Sequence, residues 1–142
     1  MALRCVRERI YQTLAYELGG LLLATPLYSI MFGASQLASL TLTMALSLAV
    51  MFWSPIHNTA FDWVEWQWTG RVASDRPRTL RLVHAAMHEA TSAIVTLPLI
   101  MGLGGHSLWT SFGIDMGLTL LYTAYAYFFH QLYDSLRPVR PA

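Results

Sequence analysis

The sequence predicts an all-α membrane protein in which four transmembrane helices form two tandem helix hairpins. The first observation is composition: 55% of the 142 residues are hydrophobic and 12% are charged, whereas roughly 25% of the residues in an average soluble domain are charged. The second is that residues 18–61, 90–114 and 116–133 contain no charged side chain, and about 20 apolar residues suffice to cross a bilayer. The third is a set of sequence motifs that occurs twice. Each residue of the first copy is separated from its counterpart in the second by the same number of residues that separates Arg9 from Arg81.

The uncharged segments divide into four helices. Residues 18–61 are too many for one membrane helix, and the turn-prone sequence Gly33-Ala34-Ser35-Gln36 splits them into two. We therefore expect helices over residues 10–32, 38–61, 82–103 and 112–133. A cleaved signal peptide is disfavoured because Glu17 would interrupt its apolar region. Helix 1 is thus expected to remain in the mature protein.

Composition also excludes several classes of protein. The single cysteine, Cys5, excludes a disulfide framework or a multi-cysteine metal site within one chain. The formal net charge is +1 and all nine basic residues are arginines, so there is no basic surface of the kind that binds nucleic acid. No combination of residues supports an enzymatic mechanism. We expect neither a nucleic-acid partner nor catalysis.

The arginines indicate how the chain lies in the membrane. Three precede helix 1, four lie between helices 2 and 3, and two follow helix 4 (Arg4, Arg7, Arg9; Arg71, Arg76, Arg78, Arg81; Arg137, Arg140). The loops near residues 33–37 and 104–111 have none. The positive-inside rule therefore places both termini and the central loop in the cytoplasm. Trp63, Trp66 and Trp68, expected just after helix 2, fit an aromatic belt at that interface.

An internal repeat divides the chain into two halves. When the sequence is aligned with itself at one constant offset, two motifs of the first half match two motifs of the second. The first match aligns Arg9, Gln12, Tyr16 and Glu17 with Arg81, His84, His88 and Glu89. The second match aligns Trp53, Asn58, Phe61 and Asp62 with Tyr125, His130, Tyr133 and Asp134. A constant offset without gaps indicates a tandem repeat. We predict one transmembrane helix pair in residues 1–70 and a second in residues 71–142. Because each pair crosses twice, the symmetry axis should run along the membrane normal.

The repeated motifs carry a resemblance to a known family. They stand as RIYQTLAYE and WSPIHNTAFD in the first half, and as RLVHAAMHE and YAYFFHQLYD in the second. Over nearly its whole length the chain resembles the bacterial transmembrane pair domain of the proteobacterial antimicrobial compound efflux family, whose founding type exports chlorhexidine. Gln12 replaces the usual His, Tyr16 and His88 replace the usual Phe, and His130 replaces the usual Asn. The resemblance implies a transporter in which Glu17 links protons to substrate.

Glu17 and Glu89 are the candidate proton- and substrate-coupling residues. Glu17 follows Arg9 by eight residues, which is roughly 12 Å along a helix and places it inside the hydrocarbon. A carboxyl group there must hold a proton or a cation, because an unpaired charge is costly. Small residues at helical spacing indicate that both acids face the bundle (Gly20 and Ala24; Ser92 and Thr96). We rank Glu17 first because Glu89 has more neighbours for a structural network.

Aromatic and polar motif residues are candidates for substrate binding. Trp53 and Tyr125 present ring faces that attract organic cations, each contact contributing about 0.5–2 kcal/mol, and Trp53 is the stronger candidate. Tyr16 and Asn58 occupy motif positions and complete the set. Packing within the bundle is the alternative role for the aromatic side chains.

The remaining charged and imidazole groups have structural interpretations. We expect interfacial ion pairs among Arg9, Asp62, Arg81 and Asp134. His84 and His88 share a helix face and would bind a metal only if a third ligand came from another helix. They do not form the H-E-x-x-H arrangement, so we expect hydrogen bonds across the bundle and assign no metal. The only coupling species we expect is the proton, without a cofactor.

These observations predict a proton-coupled exporter of cationic biocides or diamines in the bacterial inner membrane. Four helices are few to enclose a pathway, so we expect a homodimer in the lipid bilayer. Two alternatives remain: a small multidrug resistance-like antiporter, and a non-transporting membrane module that binds a metal or a partner helix. The arginine asymmetry and the repeat argue against the first.

Single cysteines introduced into a Cys5→Ser background should report the orientation. We expect positions in residues 104–111 to react with an impermeant thiol reagent in spheroplasts, and positions in residues 70–80 to react only after permeabilisation, because the arginines flank the second segment. Full labelling of every position after denaturation is the control. Equal labelling of both loops before permeabilisation would contradict a single orientation.

Overall fold

Four α-helices make up nearly all of the described chain. The computed structural model describes residues 6–71 and 75–137; Arg4, Cys5 and Arg140 lie outside them, as do the side chains of Arg9 and Asp134. The helices are α1 (Val6–Phe32), α2 (Gln36–Thr69), α3 (Arg78–Gly104) and α4 (Leu108–Leu136). The predicted all-α fold with four helices is confirmed.

Three of the helices are long and apolar enough to cross a membrane. They contain the segments Ile10–Phe32, Gln36–Thr69 and Arg78–Gly104, and large apolar side chains such as Leu22 and Ile30 are exposed on the outside of the bundle. Helix α4 is not among the three, because Asp115 and several tyrosines lower its mean hydropathy. The chain is a membrane protein, and the crossing we predicted for residues 112–133 stays a prediction.

The same turn chemistry joins α1 to α2 and α3 to α4. Gly33 and Gly105 have φ angles of 63° and 69°, a left-handed conformation that glycine adopts without steric cost and that ends a helix. Ser35 and Ser107 then cap the next helix, since their hydroxyls accept hydrogen bonds from Ala38 N at 3.2 Å and Thr110 N at 3.3 Å. Each glycine and each serine is related to its counterpart by the offset of the motifs, although the tandem arrangement itself stays a prediction.

Helix α2 is longer than the sequence indicated. We expected it to end near residue 61, with three tryptophans beyond it, but it continues to Thr69 and includes them. Asp62 ends the uncharged stretch without ending the helix, because a charged side chain does not interrupt backbone hydrogen bonding. Gly70 ends it instead, with a φ angle of 67° and a hydrogen bond from its N–H to Trp66 O.

The helices form a ring. Helix α2 packs most extensively on α3, α1 packs on α2, α3 packs on α4, and α1 closes the ring against α4. At one end, near the two short turns, the buried side chains of Tyr28, Leu42, Leu46, Ile100 and Ile114 form an apolar core. The Tyr28 hydroxyl lies 2.5 Å from Nε2 of His106 in the second turn. This core packs the four helices together at that end of the bundle.

A buried ion cluster holds the opposite end of α2 to the start of α3. Arg76 donates from Nε to Glu65 Oε2 at 2.6 Å and from a terminal nitrogen to Asp62 Oδ1 at 2.5 Å, and its guanidinium lies 4.9 Å from the centre of the Phe61 ring. Burial disfavours the charge, but the hydrogen bonds and charges of both carboxylates raise the pKa of Arg76 above its usual value. Asp62 thus has a partner that we did not predict, and the pairs expected with Arg9 and Asp134 lie outside the described side chains.

Replacing Arg76 should destabilise the fold. Arg76→Gln leaves Glu65, which is 5% exposed, buried without its cation, and breaking such a pair lowers the free energy of unfolding by on the order of 3 kcal/mol. Denaturation of the purified protein in detergent measures the change. Arg78→Gln, at the exposed start of α3, is the matched control and should be close to neutral. Equal stability of the two variants would show that the ion cluster contributes little.

Candidate functional site

A cavity of about 470 Å³ lies inside the ring of helices. Every helix contributes to its lining, and three carboxyl groups face it: Glu17 from α1, Glu89 from α3 and Asp115 from α4. Hydroxyl groups supply much of the remaining polar surface, and no arginine is found among the described lining residues. Small-molecule sites have volumes of about 300–1,000 Å³, so the cavity can hold a ligand of modest size, and its charge favours a cation.

The two predicted coupling residues differ in how they are held. The Thr119 hydroxyl donates a hydrogen bond to the Glu89 carboxylate across the α3–α4 contact. Glu17 has no hydrogen-bond partner among the described residues, although it lines the same cavity. A carboxylate without a fixed partner is available to a proton or a cationic ligand. This difference agrees with the order in which we ranked the two acids, and their roles stay predictions.

Aromatic rings form the α1–α4 side of the site. Tyr16, a predicted substrate-binding residue, lines the cavity together with Tyr122. Tyr125, also predicted, lies behind Tyr16: the two ring centres are 5.1 Å apart, and the Tyr125 hydroxyl donates to the Tyr16 backbone carbonyl at 2.9 Å. The His130 ring also stacks on the ring of Tyr16, and the two ring centres are 5.7 Å apart. Tyr125 therefore supports the cavity wall without lining it.

The other two predicted substrate-binding residues lie away from the cavity. Trp53 donates from its indole nitrogen to Thr91 Oγ1 at 3.2 Å, and Asn58 is exposed on α2. Neither is among the lining residues. The structure thus brings Tyr16, Glu17 and Glu89 together, and it leaves Trp53 and Asn58 outside the group.

Three imidazoles lie between α2 and α3, one of which the sequence analysis missed. His57 is buried, and its ring centre is 5.2 Å from that of His84 and 5.1 Å from that of His88. Hydroxyl groups engage two of the rings, since His57 Nδ1 is 3.0 Å from Thr91 Oγ1 and His88 Nε2 is 3.0 Å from Ser54 Oγ. Within the described ranges no group of three His, Cys, Asp or Glu side chains could hold a metal ion.

Asp115 is the most important residue that the motif analysis missed. It belongs to no repeated motif, and its counterpart in the first half of the chain is Thr43. A signal was nevertheless present, because Asp115 is the one charge between the uncharged segments 90–114 and 116–133. An acid isolated in this way within an apolar segment is a candidate site residue by the same reasoning that selected Glu17.

Apolar helices around an acidic cavity define a small membrane transporter, and comparison with known proteins agrees. A family model described as the chlorhexidine efflux transporter matches residues 4–67 and again residues 76–139. A short-chain diamines transporter of Acinetobacter baylyi is 26% identical over 130 residues, covering 92% of this chain and 89% of that protein. A short-chain diamines transporter of Acinetobacter baumannii is 28% identical over 132 residues, covering 92% and 88%. No solved structure matches significantly.

The chain belongs to the chlorhexidine efflux transporter family, which is the proteobacterial antimicrobial compound efflux family that its motifs resemble. The two matched segments begin at residues 4 and 76 and end at residues 67 and 139, so both pairs of boundaries are related by the same offset as Arg9 and Arg81. Membership in this family rules out the small multidrug resistance-like antiporter that we kept as an alternative. It also supports transport over catalysis as the activity of the protein.

A methyl group added at Gly20 should disturb the cavity wall. A Cβ at Gly20 would lie 2.7 Å from Tyr122 Cε1 and 3.0 Å from the Tyr122 hydroxyl, and overpacking of this kind costs about 1–3 kcal/mol. Gly20→Ala should therefore lower stability in detergent. Gly117→Ala in α4 is the control: a Cβ there meets nothing within 4 Å, and the higher helix propensity of alanine should leave stability equal or higher. Equal effects of the two substitutions would contradict close α1–α4 packing at Gly20.

Proposed function

We propose that this protein exports short linear diamines and related organic cations across the bacterial inner membrane in exchange for protons. The observation that carries the proposal is the cavity inside the ring of helices, which presents carboxyl groups from three helices and no arginine among its described lining. An excess of buried carboxylates is unfavourable unless protons or ligand cations neutralise them. Family membership and the names of the two diamine-transporting relatives support the direction and the substrate class.

Glu17 is the group at which a proton and the substrate compete. When its carboxyl is ionised, an ammonium group can neutralise it through a charge-assisted hydrogen bond. When it is protonated, that attraction is lost and the bound cation is released. Exchange follows because the site holds one or the other, so binding of a proton on one side of the membrane expels the substrate there. Substrate affinity should consequently fall as pH falls.

The walls of the cavity supply the remaining recognition. Glu89, held by Thr119, offers a second acceptor to a ligand with two amino groups. The rings of Tyr16 and Tyr122 line the same space and provide cation–π attraction. Tyr125 positions Tyr16 from behind the cavity wall through its hydrogen bond to the Tyr16 carbonyl.

The proposal also includes the orientation of the chain in the membrane, its internal repeat and its assembly. Both termini and the Arg76 cluster face the cytoplasm, and the two short turns face the periplasm. Residues 1–70 and 71–142 act as two hairpins related by a tandem repeat. Two copies pair in the membrane through their apolar outer surfaces, because four helices offer little protein around a moving substrate.

Transport can be tested in proteoliposomes loaded with a pH-sensitive dye. We expect the purified protein to accumulate putrescine, cadaverine or chlorhexidine only when a pH gradient is imposed, and each transported cation to release protons. Glu17→Gln preserves the shape of the neutral acid but cannot release a proton, so it should fold and lose transport. Its affinity should also fall by about ten- to a hundredfold, the equivalent of one charge-assisted hydrogen bond.

The controls separate a coupling role from a general loss of charge. Asp75→Asn removes an acid that is not among the lining residues and should leave transport within about twofold of wild type. Substrate binding by wild type should weaken at low pH, and binding by Glu17→Gln should lose most of that dependence. Gradient-driven transport by Glu17→Gln, or wild-type affinity that is independent of pH, would exclude Glu17 as the coupling residue.

A further inference from the structure

Asp115 gives the cavity a third carboxyl group at a different depth. It is 8% exposed and lines the cavity together with Thr96 of α3. Its charge also interacts with that of Glu89. Both acids therefore belong to one electrostatic site, although only Glu89 lies in a repeated motif.

The hydrogen bond between Thr119 and Glu89 relates the levels of the two acids in the bundle. Asp115 precedes Thr119 by four residues on α4, which corresponds to about 6 Å along the helix axis. Asp115 consequently lies about one helix turn nearer the short turns than the hydroxyl that holds Glu89. A diamine brings two amino groups to the three carboxyl groups of the cavity, whereas a linear triamine brings three.

The position that corresponds to Asp115 in the first half of the chain carries no charge. It is Thr43, whose hydroxyl lies 2.8 Å from that of Thr25 and also donates to the Ser39 carbonyl. The first half thus supplies one acid to the cavity, Glu17, and the second half supplies two. This extra charge makes the cavity asymmetric along its length.

We propose that Asp115 is a specificity-determining residue that adapts the cavity to linear polyamines with three amino groups. The inference rests on the proposed function, since it assumes that the cavity is the amine site. A triamine can neutralise Glu17, Glu89 and Asp115 at once. A short diamine leaves one buried carboxyl group to be protonated or to remain unpaired, and either outcome reduces affinity.

Binding measurements with amines of different length and charge test the proposal. Wild-type protein in detergent should bind spermidine at least about tenfold more tightly than putrescine, because one charge-assisted hydrogen bond is worth about 1.5–3 kcal/mol. Octamethylene diamine, which has similar length but lacks the middle amino group, should bind about as tightly as putrescine, because it also neutralises only two carboxyl groups. Asp115→Asn should remove the preference for spermidine, because the third amino group loses its carboxylate while putrescine no longer leaves a carboxyl group unpaired. Asp115→Thr, which reproduces the residue at Thr43, is a second variant and should behave alike.

The outcomes distinguish the role proposed for Asp115 from the transport function on which that role rests. If putrescine binds and depends on Glu17, but spermidine binds no more tightly, the role of Asp115 is wrong and the proposed function stands. The same conclusion follows if Asp115→Asn weakens both amines equally. If no amine binds wild-type protein, both proposals are wrong. The comparison of amines on wild type needs no variant to fold, so the proposal is testable even if both substitutions prevent folding.

Discussion

The arrangement of this protein depends on keeping carboxyl groups out of lipid. Hydrocarbon solvates neither a carboxylate nor an unpaired backbone group, so helices are required and the acids must face inward. Gly20 and Ala24 are buried on α1, and Ser92 and Thr96 are buried on α3. These small residues permit the close packing of helices that encloses the acids. A bundle that satisfies this constraint has an apolar exterior and an acidic interior, and both features are observed here.

The same constraint keeps the arginine side chains of the described chain away from the cavity. Arg76 is buried, but Glu65 and Asp62 hold it at the far end of α2, where two carboxylates more than balance one guanidinium. Had an arginine reached the cavity, it would have paired with Glu17 or Glu89 and removed the charge that attracts a ligand. The apolar core around Tyr28 and Leu46 lies at the other end, near the short turns. The buried ion cluster and the carboxyl groups of the cavity thus occupy different levels of one small bundle.

Sequence reasoning found the parts that local chemistry determines. The uncharged segments and the Gly33 and Gly105 turns predict the helices, because apolar length and turn residues are local properties. Glu17 and Glu89 were found because an acid in an apolar helix is conspicuous. The pairing of Arg76 with Asp62 and Glu65 could not be predicted in this way, since it depends on how the segment after α2 folds back. The imidazole group around His57 likewise exists only because α2 packs on α3.

The halves of the chain share turns and motif positions but differ in chemistry. Glu89 accepts a hydrogen bond from Thr119, whereas the corresponding Glu17 has no such partner among the described residues. Thr43 forms a hydrogen bond with Thr25, and both side chains are uncharged. The position that corresponds to Thr43 in the second half is the acidic residue Asp115. A symmetric cavity would hold its ligand equally at both acids and would give a proton no preferred site. Because the acids differ in their partners, the two halves of the cavity are not equivalent, and the exchange of proton and cation that we propose falls on Glu17, whose carboxyl group no described side chain holds.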